Sequence, residues 1–239
     1  MKFNKAIIYM IISVIAFAIM NAVVKYVSFF NAYQIVYFRS IGTLVFTIPL
    51  ILRYRIPVLG NNKKLLLIRG AAGVISLTLF FQSLNYLDVG TAVSLRYTSP
   101  IFSAILALIF LKEKIKSIQW LLFLVAFIGV LFIKGFGTTI NLLGLLLVIL
   151  SALFLGLIFV VIRKMGTKEN PLVIINYFMV MAFIFGGVMS INHWRNPNTS
   201  EWILLLSLGV FGYAGQLYMT KAFQTQETSL IAPLKYLEV

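Results

Sequence analysis

The sequence has 239 residues, of which 61% are hydrophobic and only 11% are charged, and its mean hydropathy is +1.01. A soluble domain carries about 25% charged residues because its surface must meet water. This composition therefore excludes a soluble globular protein and indicates that most of the surface faces lipid. The formal net charge of +14 does not indicate a nucleic-acid partner, because the basic residues lie in short segments between apolar runs rather than in one patch.

Long apolar runs follow one another along the chain, and a helix needs about 20 apolar residues to cross the hydrocarbon core. The first run is too long for a signal-peptide core, so we expect a retained membrane helix. A ninth run begins near Thr228 and stops at Val239, which is too short to cross and predicts that the chain is a fragment. The eight complete predicted spans are 6–24, 33–52, 65–84, 91–111, 115–133, 142–162, 172–191 and 202–222.

The distribution of Lys and Arg predicts the orientation. Fourteen of the twenty basic residues, Arg69 among them, fall on the side of the N-terminus, and three fall on the opposite side. The positive-inside rule then predicts a multi-pass protein of the plasma (inner) membrane with its N-terminus in the cytoplasm. The remaining three basic residues, Arg39, Arg96 and Lys235, fall inside predicted spans.

The chain repeats itself weakly at an offset of 138 or 139 residues. The tripeptide 95–97 (Leu-Arg-Tyr) matches 234–236 (Leu-Lys-Tyr), and an acid lies eight positions before the cation in both copies. Ser13 likewise matches Ser151. We therefore predict two domains, 1–137 and 138–239. Because each repeat holds five helices, the second copy enters the membrane from the other side, as in many secondary transporters.

The stretch 92–113, with Pro100 at mid-span and Glu113 at its end, resembles the fourth helix of the EamA-like family in the drug/metabolite transporter superfamily. Its counterpart, 229–239, looks like the start of the family's ninth helix. The resemblance implies an all-α membrane protein, a polytopic helical bundle of two inverted five-helix repeats. Ten helices are expected when the fold is complete, and about eight and a half are present here. The resemblance also implies transport of small polar metabolites.

Arg96 and Lys235 are candidate substrate-binding residues, because charges inside a span usually face a bundle interior or a watery cavity. In the competing interpretation both side chains snorkel to the nearer interface. Pro100 removes the hydrogen bond to the carbonyl of Arg96, which predicts a helix kink at that cation. An ordinary transmembrane kink would explain Pro100 equally well.

Glu238 is a candidate coupling residue, because a carboxylate near mid-depth can carry a proton. A structural pair with Lys235, three residues earlier, is the alternative. Gln82 and Gln216 are polar residues within spans and are further candidate substrate contacts. Arg39 either lines the cavity or points outward.

These features together predict a secondary active transporter of an amino acid or organic anion, working by export or exchange, with proton coupling as a further hypothesis. An uptake permease for a metabolite or cofactor is the alternative. The sequence shows no selectivity-filter pattern that would indicate a channel. An intramembrane enzyme lacks a nucleophile–base pair, because the chain has no Cys and one His, so no catalytic residue is predicted. The expected partners are a small-molecule substrate and the lipid bilayer, and a homodimer stays open; no cofactor or metal is expected.

Overall fold

The structure, a computed structural model, describes residues 2–134 and 141–238, and the regular structure of these ranges is helical. Short 3₁₀ turns follow α7 and α8, and a longer 3₁₀ segment, Ala232–Glu238, continues α10. The α-helices are α1 (Lys2–Tyr26), α2 (Ala32–Arg53), α3 (Lys63–Ser83), α4 (Val89–Arg96), α5 (Ser99–Phe110), α6 (Ser117–Lys134), α7 (Leu142–Met165), α8 (Pro171–Ser190), α9 (Thr199–Thr225) and α10 (Thr228–Ile231).

The helices confirm the predicted polytopic bundle. Seven helical segments of the described chain are long and apolar enough to cross a membrane. One of them, Val89–Phe110, consists of α4 and α5 in sequence, and α6 occupies the fifth predicted run. We call the face where α1 begins, α3 begins and α7 ends the N-terminal face, and the other end of the bundle the opposite face.

The packing of the helices follows the inverted repeat. Helix α1 packs on α9 as α7 packs on α3, and α2 packs on its own counterpart, α8. A matched pair of hydrogen bonds lies in these contacts: Ser13 Oγ donates to the carbonyl oxygen of Gly215 at 2.8 Å, and Ser151 Oγ donates to that of Ser76 at 2.7 Å. The serines are 138 residues apart and the acceptors 139. The predicted boundary between 137 and 138 lies outside the described residues.

Polar side chains cap the starts of most helices and satisfy backbone N–H groups that have no partner within the helix. Asn198 and Glu201 form a reciprocal capping box at α9. Asp88 caps α4, where its carboxylate accepts from the Thr91 backbone N–H at 2.9 Å and from the Thr91 hydroxyl at 2.7 Å. The remaining side-chain caps are Asn31, Asn62, Asn141 and Asn170.

Replacing Asp88 by alanine is expected to lower the thermal midpoint more at neutral pH than near pH 3. The hydrogen bond from the Thr91 side chain, followed by that from its backbone, lowers the pKa of Asp88 below its usual value of 3.8. A carboxylate whose pKa falls on folding stabilises the protein above its unfolded pKa, and this contribution is lost as the pH falls through the folded pKa. Thermal unfolding of both proteins between pH 7 and 3 tests this, and a constant gap would contradict it.

Candidate substrate site

Four basic side chains from different elements lie in the interior of the bundle, and we call them the interior basic cluster. They are Arg39 of α2, Arg69 of α3, Arg96 at the end of α4, and Lys235 in the 3₁₀ segment. Arg69 is only 1% exposed, and the others are partly buried. Arg39 interacts electrostatically with both Arg69 and Arg96, so these cations share one region.

Glu238 is the carboxylate of this region. It forms an ion pair with Lys235, accepts a hydrogen bond from Asn21 Nδ2 at 3.1 Å, and interacts electrostatically with Arg39 and Arg96. The other five acidic residues of the chain cap or border helix ends: Asp88, Glu113, Glu169, Glu201 and Glu227. The interior therefore contains four basic groups and one carboxylate.

Several nitrogens of the cluster have no hydrogen-bond partner among the described atoms. They are Nε of Arg39, Nε and Nη1 of Arg69, and Nε of Arg96, and the hydroxyl of Tyr236 is similarly unpaired. Buried donors of this kind are costly, more so when they are charged. This arrangement has the chemistry of an anion-binding site.

Aromatic rings hold three of the cations in place. The guanidinium carbon of Arg96 lies 4.3 Å from the ring centroid of Phe80, and that of Arg69 lies 4.3 Å from Phe178. Lys235 Nζ lies 4.7 Å from the Phe17 centroid. A ring face attracts a cation without neutralising it. The cations are therefore oriented by the fold while their charge stays available.

The fourth span is interrupted beside Arg96. Helix α4 ends at Arg96, residues 97–98 form a turn, and Pro100 lies in the first turn of α5. Pro is favoured in the first turn of a helix because its missing N–H would have no partner there. The break places Arg96 at a helix C-terminus, whose partial negative charge favours a cation. It also brings Tyr97 near its repeat counterpart Tyr236, with ring centroids 6.3 Å apart.

The structure brings together most of the residues singled out from the sequence. Arg96, Lys235 and Glu238 share the interior, and Gln216 joins them, because its Oε1 accepts a hydrogen bond from Arg69 Nη2 at 2.8 Å. Gln82 is exposed in the last turn of α3, outside this group. It stays a predicted contact.

Two interior cations were not recognised as site residues from the sequence. Arg39 was left undecided, and Arg69 was only counted with the basic residues on the side of the N-terminus, whereas the structure buries its side chain. The available signal was the small residues beside it. A Cβ on Gly73 would lie 2.5 Å from the Phe178 ring and 3.3 Å from Arg69 Nη1, so this glycine makes room for the ring and for the guanidinium that lies over it.

A second polar network ties four elements together at the N-terminal face. Arg163 Nε lies 3.2 Å from Glu113 Oε1, and the other carboxylate oxygen of Glu113 accepts from the Ser229 backbone N–H at 3.3 Å. Arg163 also donates to the carbonyl oxygen of Gln224 at 3.4 Å. The ends of α5, α7 and α9 are thereby joined to the start of α10. Each charge in this network has a partner, whereas the three arginines of the interior basic cluster have unpaired nitrogens among the described atoms.

A surface pocket of about 400 Å³ lies at the same face, between the segments 54–61 and 167–173. Its buried acid, Glu169, accepts from the backbone N–H groups of Asn61 at 2.8 Å and Asn62 at 3.0 Å. This carboxylate therefore joins two loops. Among the described residues no group of three or more His, Cys, Asp or Glu side chains could hold a metal ion.

Comparison with known proteins identifies the family. The model of the EamA-like transporter family matches residues 4–135 and 142–239. Over 228 residues the chain is 31% identical to the pseudopaline exporter CntI of Pseudomonas aeruginosa, covering 93% of this chain and 80% of that protein. It is 26% identical to human solute carrier family 35 member G1, covering 97% and 68% of the two chains. It is 25% identical to the S-adenosylmethionine uptake transporter of Rickettsia bellii, covering 87% and 72%.

A solved crystal structure shares the architecture, with a TM-score of 0.86 at 16% sequence identity, covering 98% of this chain and 84% of the other. At that identity the likeness shows the fold alone. The fold is that of a polytopic membrane transporter, and the chain belongs to the EamA-like transporter family. Family membership identifies transport across a membrane as its function.

Proposed function

We propose that this protein is a secondary active transporter for a small metabolite that carries an acidic group, an organic anion or an amino acid. The observation that carries the proposal is the interior basic cluster, in which four cations share the interior with the single carboxylate of Glu238 and the three arginines have unpaired nitrogens among the described atoms. Burying a charge without a partner is strongly unfavourable. A bound anionic group would supply the missing charge and hydrogen bonds.

Export or exchange is the proposed direction, from a plasma (inner) membrane in which the N-terminal face is cytoplasmic. The similarity to the pseudopaline exporter, at 31% identity, supports this choice. An uptake permease for a metabolite or cofactor is the second candidate, supported by the 25% identity to the S-adenosylmethionine uptake transporter. Transport assays on vesicles of known orientation separate the two.

Glu238 is the proposed coupling residue. Its carboxylate pairs with Lys235 and lies within electrostatic reach of Arg39 and Arg96. An anionic substrate that binds these cations would compete with Glu238 for them. Protonation of the displaced carboxylate would then link substrate binding to proton movement.

Replacing Arg96 or Lys235 by glutamine is expected to reduce saturable transport at least about tenfold, because a charge-assisted hydrogen bond to an anion is lost. The measurement is flux of radiolabelled amino acids and organic acids in proteoliposomes, with and without a pH gradient. Glu238→Gln is expected to abolish the response to the gradient and to retain exchange of substrate without a gradient.

Lys25→Gln is the matched control, because it removes a positive charge from an exposed position on the opposite face. All variants are compared at equal folded yield. Unchanged flux of acidic solutes in both Arg96→Gln and Lys235→Gln would overturn the proposed site. A gradient response that persists in Glu238→Gln would assign this residue a purely structural pair with Lys235.

A further inference from the structure

Arg69 is the most deeply buried cation of the interior, and it has no carboxylate partner among the described residues. One nitrogen, Nη2, donates to Gln216 Oε1 at 2.8 Å, whereas Nε and Nη1 have no hydrogen-bond partner among the described atoms. The side chain is 1% exposed, so water in bulk does not reach these donors. Leaving a charged donor unpaired in a buried place costs more free energy than an ordinary hydrogen bond contributes. A ligand that accepts hydrogen bonds from these two nitrogens explains why the guanidinium lies there.

Two other arginines have purely structural positions, and each has a carboxylate partner. Arg163 has Glu113 at 3.2 Å, and Arg195 has Glu201 at 2.9 Å. Both lie toward helix ends, where charge is less costly, and both still receive a carboxylate. Arg69 receives only a neutral amide and the face of Phe178, which orient the guanidinium without neutralising it.

Arg69 and Arg96 lie at different depths. Arg69 is six residues into α3 from the N-terminal face, roughly 9 Å, and Arg96 is seven residues into α4 from the opposite face, roughly 10 Å. Across a hydrocarbon core of about 30 Å the two positions are then about 10 Å apart along the membrane normal. Arg39 interacts electrostatically with both, so the positions belong to one continuous region.

We infer that the interior contains two anion-binding positions, one at Arg96, which shares the Glu238 carboxylate with Lys235, and a second at Arg69 with Gln216. The transported metabolite therefore carries at least two acidic groups, spaced so that one reaches each position. This inference rests on the proposed function and narrows its substrate class from an anion to a compound with two or more acidic groups. Arg69 is then the residue that distinguishes such compounds from those with a single acid.

The test compares two series of probes on the full chain purified in detergent. Succinate, glutarate and adipate are titrated beside butyrate, valerate and hexanoate, and the thermal midpoint is followed. In the unaltered protein the best dicarboxylate is expected to half-saturate at a concentration at least about tenfold lower than its matched monocarboxylate, because a second charge-assisted contact forms. In Arg69→Gln this ratio is expected to fall to about twofold or less, because the second position loses its charge.

Gln216→Leu gives an independent measurement if Arg69→Gln does not fold. It keeps the positive charge and removes the amide that orients the guanidinium, so the dicarboxylate preference is expected to fall at least about threefold. No stabilisation of the unaltered protein by any of the six acids would count against the proposed function itself. Equal responses to both series, or a preference that survives in Arg69→Gln or in Gln216→Leu, would overturn the second position and leave the proposed function standing.

Discussion

Replacing Gly209 by alanine is expected to lower the free energy of unfolding by roughly 3 kcal/mol, at the upper end of overpacking costs. A Cβ on Gly209 would lie 2.2 Å from Cα and 2.4 Å from the carbonyl carbon of Gly42, so α2 and α9 touch through their backbones. Carbon atoms pack at about 3.5–4.0 Å, and the helices must therefore separate by roughly 1 Å or more. A backbone cannot move aside as a flexible side chain can.

The same substitution is expected to weaken binding of acidic probes. Arg39 lies one turn before Gly42 on α2, and a Cβ on Gly212 would lie 3.4 Å from Arg39 Nε. Separation of α2 and α9 therefore displaces Arg39 together with Gln216. Unfolding in detergent and probe titration measure the two effects. Gly129→Ala is the control, because a Cβ there has no atom within 4 Å, and equal stability of both variants would contradict the prediction.

The spans and the repeat could be predicted from the sequence because both depend on patterns that the chain carries locally. The predicted span 202–222 lies inside α9, and 142–162 lies inside α7. The match of Ser13 to Ser151 predicted equivalent places in the two repeats. The acceptors of these serines, the carbonyl groups of Gly215 and Ser76, could not be predicted. Every residue has a backbone carbonyl, so the residue type does not reveal which one accepts.

The candidate site was predicted only in part, for a physical reason. Arg96 and Lys235 are conspicuous because apolar residues surround them in the chain. Arg69 follows Lys63 and Lys64 closely, so composition alone groups it with the membrane surface, although six residues of helix carry it about 9 Å inward. Gln82 shows the reverse case, since a polar residue inside a predicted span is exposed at the end of α3.

Ion pairs between helices that are far apart in the chain could not be predicted from the sequence either. Glu113 and Arg163 are 50 residues apart, and each has basic neighbours close by in the sequence. Only the packing of α5 on α7 selects this pair from the alternatives. The structure thereby separates two kinds of charge: the Glu113–Arg163 pair at the N-terminal face, in which each charge has a counter-charge, and the interior basic cluster, whose cations outnumber its single carboxylate.

Glu113→Gln is expected to be the most destabilising single change at the N-terminal face, by about 3 kcal/mol, because it leaves a largely buried guanidinium without its counter-charge. The side chain of Glu113 is 7% exposed and that of Arg163 is 28% exposed. The substitution also weakens the acceptor for the Ser229 backbone N–H at the start of α10. Arg163→Gln together with the double variant completes a cycle, in which a coupling free energy of about 1–3 kcal/mol is expected for residues in direct contact.

The pair Arg195–Glu201 on the opposite face provides the matched control. Its nitrogen–oxygen distance is 2.9 Å, shorter than that of Glu113–Arg163, but the Arg195 side chain is 52% exposed. Solvent screens such a pair, so its coupling free energy is expected to stay below about 1 kcal/mol. If distance alone set the strength, the outer pair would be the stronger one. Equal coupling in the two cycles, or a larger value for Arg195–Glu201, would show that burial does not control these contacts.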